Sequence, residues 1–241
     1  MTPVEPRPLQ VQVGARAVPT VIWRTPQARG LVLLGHGGGG GSHKLGARQQ
    51  LLASCFVDAG LAVVSIDGPA HGDRAPRPGM APGAYQTDLV ERGVDAVVRD
   101  MVDDWLAALD AAGELLAGES GVGYLGMSMG ARFGLPLAAE LGERLSCAVL
   151  GKFGLQQSAR LHPGLHDATE LVDAARRVVA PTLWHVQWDD ELFARDGQLE
   201  LFDRIAARDK QLIAFPGDHG TTTQAAIDAW VTFVAGHLAP A

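Results

Sequence analysis

Residues 121–141 read Gly-Val-Gly-Tyr-Leu-Gly-Met-Ser-Met-Gly-Ala-Arg-Phe-Gly-Leu-Pro-Leu-Ala-Ala-Glu-Leu: an apolar strand, one serine, then a helix, with no loop between. The run 122–125 suits a buried strand and 130–141 a helix, so Ser128 must occupy the corner. A chain that turns this sharply brings strand and helix into near contact. Gly126 and Gly130, on either side of the serine, leave room because neither has a Cβ. Such a corner holds the serine hydroxyl out at the edge of the sheet, where it suits nucleophilic attack on an acyl group. The pattern is short and 30 of the 241 residues are glycine, so its meaning depends on its surroundings.

Those surroundings alternate. Strands are expected at 31–34, 62–66, 147–150, 181–187 and 211–215, besides the one before Ser128. Helices are expected at 45–59 (closed by Gly60), 170–179 and 221–238. One long amphipathic helix places Val90, Val94, Val97, Met101, Trp105 and Leu109 on a single face. Pro136 should kink the helix that follows Ser128. Segments 9–13 and 19–24 read as an antiparallel pair turning at Gly14-Ala15-Arg16. Apolar strands separated by helices imply a mostly parallel α/β sheet covered on both faces. No repeat or linker divides the chain, which reads as one domain over 1–241. A lid has room only at about 152–180, too short for several helices, beside a Pro/Gly-rich loop from 67 to 85.

Composition narrows the partners. Net charge is −7 and spread along the chain, which argues against nucleic acid or an anionic membrane. No apolar run approaches the ~20 residues of a membrane span, and the first residues lack a signal peptide's apolar centre. Cys55 and Cys147, the only cysteines, lie among apolar neighbours and read as buried free thiols. Cytoplasmic residence is the resulting expectation.

A serine nucleophile needs a base, and the base an orienting carboxylate. In a doubly wound sheet both must sit on loops after the carboxyl ends of strands. Asp189-Asp190-Glu191 follows strand 181–187, and Pro216-Gly217-Asp218-His219-Gly220 follows strand 211–215. Any one of the acids could instead cap the helix starting near Asp196. Of the eight histidines, His219 alone combines a loop after a strand, flanking glycines and the chain order serine, acid, histidine. His185 lies inside a strand and should be a packed core residue. His237 suits the last turn of a helix, and His162 and His166 belong to the lid segment. Gly35 to Gly41, with His36 as the second residue, follows strand 31–34 and could supply backbone N–H groups to an oxyanion. The spacing Gly35-x-Gly37-x-x-Gly40 also fits a dinucleotide loop, but that reading leaves Ser128, the acids and His219 unexplained.

On the serine corner, the acid loop and the histidine loop, in that order, the chain resembles the α/β-hydrolases of the small esterase and dienelactone-hydrolase-like kind, over about 9–238. The resemblance implies an α/β-hydrolase fold: a sheet of about eight mostly parallel strands, helices on both faces and a minimal lid. It implies Ser128 as nucleophile and His219 as general base, with Asp190 favoured as the acid and Asp189 and Glu191 left as alternatives. Family members often carry Asp, an apolar residue three positions on, then Pro. Asp190 and Phe193 fit, while Ala194 stands where proline is usual. The oxyanion donors would be the N–H groups of Gly38, the residue after His36-Gly37, and of Met129. His36 would brace that loop. Asp67-Gly68-Pro69-Ala70-His71-Gly72-Asp73-Arg74 resembles the family's turn after this strand, with His71 and Arg74 structural. Arg74 or Arg77 turned into the pocket would instead favour an acidic substrate. Trp188 is a candidate lining residue of the acyl pocket.

The expected substrate is a small carboxylic ester, thioester or lactone, with no cofactor and no metal. Acyl transfer, perhydrolysis, a lyase step or a non-catalytic binding role on the same fold remain open alternatives. The thiolate of true dienelactone hydrolases is replaced by Ser128.

Overall fold

Short runs rich in Val, Leu and Ile, each too short for a helix, bury their backbone polar groups by pairing with one another. The computed structural model describes residues 4–39, 41–76, 83–116 and 121–238. Gly40 and Arg77 lie outside the described residues. In chain order the strands are β1 (Arg7–Leu9), β2 (Gln12–Val13), β3 (Arg16–Ala17), β4 (Thr20–Trp23), β5 (Gly30–Gly35), β6 (Ala62–Ile66), β7 (Gly121–Met127), β8 (Cys147–Gly151), β9 (Thr182–Gln187) and β10 (Lys210–Phe215). The helices are α1 (Ala47–Asp58), α2 (Ala84–Arg92), α3 (Val94–Gly113), α4 (Met129–Leu141), α5 (Ala168–Ala175), α6 (Arg195–Arg204) and α7 (Gln224–Leu238).

Eight strands form one sheet in the order β1-β4-β6-β5-β7-β8-β9-β10. From β6 to β10 every pairing is parallel, and β4 alone runs against its neighbours. Side chains alternate between two cores. Leu31 and Leu33 of β5 join α3, α4, α5 and α6 on one face, whereas Val32 and Leu34 join α1 and α7 on the other. A parallel sheet covered on both sides is thereby buried throughout its centre. The edge strand β10 is only partly covered, with Leu212 37% exposed.

Three local expectations need correction. The first concerns the amino-terminal pair: β1 pairs with β4, with Arg7 opposite Ile22, and residues 12–17 form a separate two-stranded hairpin of β2 and β3. The apolar alternation continues from β1 into β2, so the sequence does not reveal the break. The second concerns the long amphipathic helix. It is two helices, α2 and α3, interrupted at Gly93 with φ +83° and ψ 113°. That backbone conformation is open to glycine and ends the first helix even though the apolar spacing runs on. The third is Cys55, which is half-buried, while Cys147 is fully buried; both are free thiols. Helix α4 continues through Pro136.

A buried carboxylate ties the hairpin to the body. Asp104 of α3 is fully buried and accepts hydrogen bonds from Arg16 at 2.9 Å and from Arg74 at 2.6 Å. Arg74 is thus committed to α3 and does not enter the pocket described below. Among the described residues no helix is long and apolar enough to cross a membrane.

Candidate active site

The corner between β7 and α4 is as tight as its glycines require. Ser128 has φ +59° and ψ −118°, a conformation that side-chain-bearing residues rarely adopt and that concentrates at functional sites. Its N–H donates to Gly151 O at 3.0 Å on the adjacent strand. A Cβ on Gly126 would lie 2.7 Å from the Gly130 backbone. Any larger residue there would push β7 and α4 apart.

Loops after β7, β9 and β10 converge on this corner. The Ser128 Oγ stands 2.9 Å from His219 Nε2, and His219 Nδ1 stands 2.8 Å from Asp190 Oδ2. With Nδ1 donating to the carboxylate, Nε2 is the free acceptor for the serine proton. The other Asp190 oxygen accepts the N–H groups of Leu192 (2.8 Å) and Phe193 (2.9 Å), so the carboxylate is fixed from both sides and its side chain is fully buried. Asp189 accepts the N–H of Gly217 at 3.0 Å, and Glu191 accepts the N–H of His219 at 2.9 Å. Neither touches the imidazole. Helix α6 has Ala194 at its N-cap position and no side-chain cap, so none of the three acids serves that purpose.

Two residues that the sequence did not single out hold the histidine loop. Lys152, directly after β8 and at φ +47°, is 1% exposed. Its Nζ donates to His219 O (3.2 Å), Thr222 Oγ1 (3.0 Å) and Thr221 O. Burial pushes this ammonium down to about 8. Gln187 at the end of β9 donates to Pro216 O (3.0 Å) and Gly217 O (2.9 Å). His185 supports Gln187 at 3.0 Å and itself accepts from Trp230 at 3.2 Å. His185 is fully buried, as a core histidine should be, and burial lowers its pKa to about 4. The available signal was a lone polar residue at the carboxyl end of each apolar strand.

The glycine loop after β5 is interlocked with the turn after β6. His36 Nδ1 donates to Gly37 O at 2.8 Å, and its Nε2 accepts the Gly68 N–H at 2.8 Å. Reciprocally, the Gly39 N–H donates to His71 Nε2 at 3.3 Å, while His71 Nδ1 donates to Pro69 O at 2.7 Å. Both rings are therefore neutral, and burial takes His36 down to about 4. Asp67 is fully buried beneath them, receiving Lys44 Nζ at 2.6 Å and the Asp73 N–H at 2.8 Å. Gly38 faces the Tyr85 hydroxyl, which leaves no room for a Cβ. The Gly38 N–H has no acceptor among the described residues. Met129 is the first residue of α4, where N–H groups have no partner within the helix.

Ser128 and His219 stand at the shared rim of two cavities. One, of about 260 Å³, is lined by Gly38, Met129, Phe153, Leu165, Leu192 and Phe193 among others. The other, of about 340 Å³, lies toward α1 and is lined by Gly37, His43, Arg48, Lys152 and Trp230 among others. The segment 152–180 roofs the smaller cavity through Leu161 and Leu165. His162 caps the turn at Pro163–Leu165, its Nδ1 accepting the Gly164 N–H at 3.1 Å. Trp188 is not part of either lining. It is 47% exposed and lies under the Arg195 guanidinium at 4.2 Å, because its loop turns the ring outward. Among the described residues no three His, Cys, Asp or Glu side chains converge in a way that would hold a metal ion.

The structure is similar to that of a cold-adapted esterase from an Arctic intertidal metagenomic library. Identity is 32%, the TM-score is 0.83, and 99% of this chain and 96% of that one are covered. A dienelactone hydrolase from Anabaena variabilis shares the fold at 22% identity and TM-score 0.65, covering 98% of this chain and 97% of that one. So does a monoacylglycerol lipase from Paleococcus ferrophilus, at 18% identity and TM-score 0.64, covering 91% and 99%. Neither a protein-family model nor a curated protein matches the chain.

Proposed function

The chain belongs to the α/β-hydrolase family as an esterase-like member, and on that premise we propose that it hydrolyses small carboxylic esters through an acyl-serine intermediate. The observation that carries this reading is the unbroken relay from Ser128 Oγ through His219 to Asp190, with contacts of 2.9 and 2.8 Å. Ser128 Oγ attacks the ester carbonyl while His219 Nε2 takes its proton. Asp190 holds the ring in the tautomer that can accept that proton, and stabilises the imidazolium once formed. The carbonyl oxygen, now an alkoxide, is met by the N–H groups of Gly38 and Met129, which point their charge where the substrate develops its own. The tetrahedral centre collapses, the alcohol leaves with the proton from His219, and water enters by the reverse sequence to release the acid.

The two cavities on either side of Ser128 give room for the two halves of a small ester, the smaller one roofed by Leu161 and Leu165. The chain acts as one domain in this reading. A fluorophosphonate probe should label Ser128 alone, and Ser128→Ala should lose both the labelling and the hydrolysis of p-nitrophenyl acetate. Undiminished turnover by Ser128→Ala would refute the proposal.

A further inference from the structure

Arg132 lies one turn along α4 from Ser128, on the same face of that helix. It is 7% exposed, and its guanidinium is stacked on the Phe153 ring at 5.1 Å. A guanidinium has five N–H donors, and among the described residues one of them is used, from Nη1 to Leu165 O at 2.6 Å. No carboxylate pairs with it among the described residues, and residues 77–82, Arg-Pro-Gly-Met-Ala-Pro, include no acid. Burial lowers its pKa to about 10, which still leaves it charged at neutral pH, and the ionisable group acting on it is the Tyr85 phenol.

Its surroundings sharpen the point. Arg132 and Arg160 both line the 260 Å³ cavity that Ser128 and His219 open into, and among the described residues no Asp or Glu does, although Arg160 pairs with Glu191 outside the lining at 4.0 Å. That absence stands out in a chain of net charge −7. Arg132 also reaches a groove between α3, α4 and α5 that carries Asp95, Asp103, Glu140, Asp167 and Glu170, and none of these forms an ion pair with it. A buried cation without a counter-ion is costly, and an arginine fork is matched in shape by a carboxylate.

We propose that this cavity is a carboxylate subsite, and that the favoured substrates are esters carrying a second, unesterified carboxylate that pairs with Arg132. The proposal rests on the serine-esterase reading above. It names the substrate class of that same site.

The test compares matched esters. In one arm the carboxylate is in the acyl half, as monomethyl succinate, glutarate and adipate. In the other it is in the alcohol half, as the acetyl esters of the corresponding ω-hydroxy acids. Each is set against its neutral isostere, in which an isopropyl group replaces the carboxylate. In at least one arm kcat/KM should favour the anionic ester by about tenfold or more, since a buried charged pair is at stake. Arg132→Met should collapse that ratio, with Arg132→Lys intermediate because it keeps the charge and loses the fork. Should Arg132→Met fail to fold, the wild-type ratio and Arg132→Lys decide.

Equal kcat/KM for anionic and neutral esters in both arms overturns the subsite and leaves the esterase reading standing. An Arg132→Met variant that lowers both classes by the same factor also overturns it, since that is what a purely structural anchor for Leu165 would do. If Ser128→Ala hydrolyses all the esters as well as the parent, the esterase reading falls and takes the subsite with it.

Discussion

Asp189, Asp190 and Glu191 are neighbours in the chain with three separate attachments: to Gly217 N–H, to the His219 ring and to His219 N–H. A variant series can tell these attachments apart. Asp190→Asn changes which proton the ring carries, so kcat should fall by roughly 10⁴-fold in an ester assay. Asp189→Asn keeps an oxygen able to accept the Gly217 N–H, and kcat should stay within about tenfold. Lys152 acts further back, gathering the carbonyls of the histidine loop. Lys152→Met should lower kcat by about tenfold to a hundredfold, with a smaller change in KM for esters seated in the 260 Å³ cavity, because the ring loses its alignment while that cavity's lining, which does not include Lys152, stays in place.

The elements show what a sequence can and cannot disclose. Apolar runs became strands within a residue or two, as at 62–66, because a buried parallel strand has no other composition to offer. The serine corner was legible for the same steric reason that makes it fragile. Gly126→Ala sets a Cβ 2.7 Å from the Gly130 backbone and should lower stability by about 1–3 kcal/mol, read as a shift in the urea midpoint. Gly93 was not legible as a break, because hydrophobic spacing reports which face is buried and not where φ turns positive. Its surroundings are open, so Gly93→Ala costs backbone strain alone, about 1–3 kcal/mol in the same measurement. Lys152 and Arg132 were also missed. Both are cations inside apolar stretches, and periodicity cannot say whether such a residue reaches the surface or stays in.

At the scale of the whole molecule, three buried neutral imidazoles, His36, His71 and His185, set a dependence on acid, and burial lowers the pKa of each. His36 and His185 titrate near 4 in the fold, because burial disfavours their charged forms, against about 6.5 in an unfolded chain. Above about pH 6.5 both are neutral in either state and stability is at its full value. Between there and about pH 4 the unfolded chain binds protons that the folded chain refuses, so stability falls as pH falls. Urea midpoints measured at pH 7 and 4.5 should show that loss, and His185→Gln should reduce it. The crossed pairing of His36 with Gly68 and of His71 with Gly39 has a temporal consequence. Two loops that already hold each other through these hydrogen bonds have little to rearrange when a ligand arrives. A boronic acid, whose tetrahedral adduct with the serine mimics the high-energy species, should therefore associate in one exponential whose rate rises linearly with concentration. A plateau in that rate would reveal a slow closing step that the crossed histidines ought to have made unnecessary.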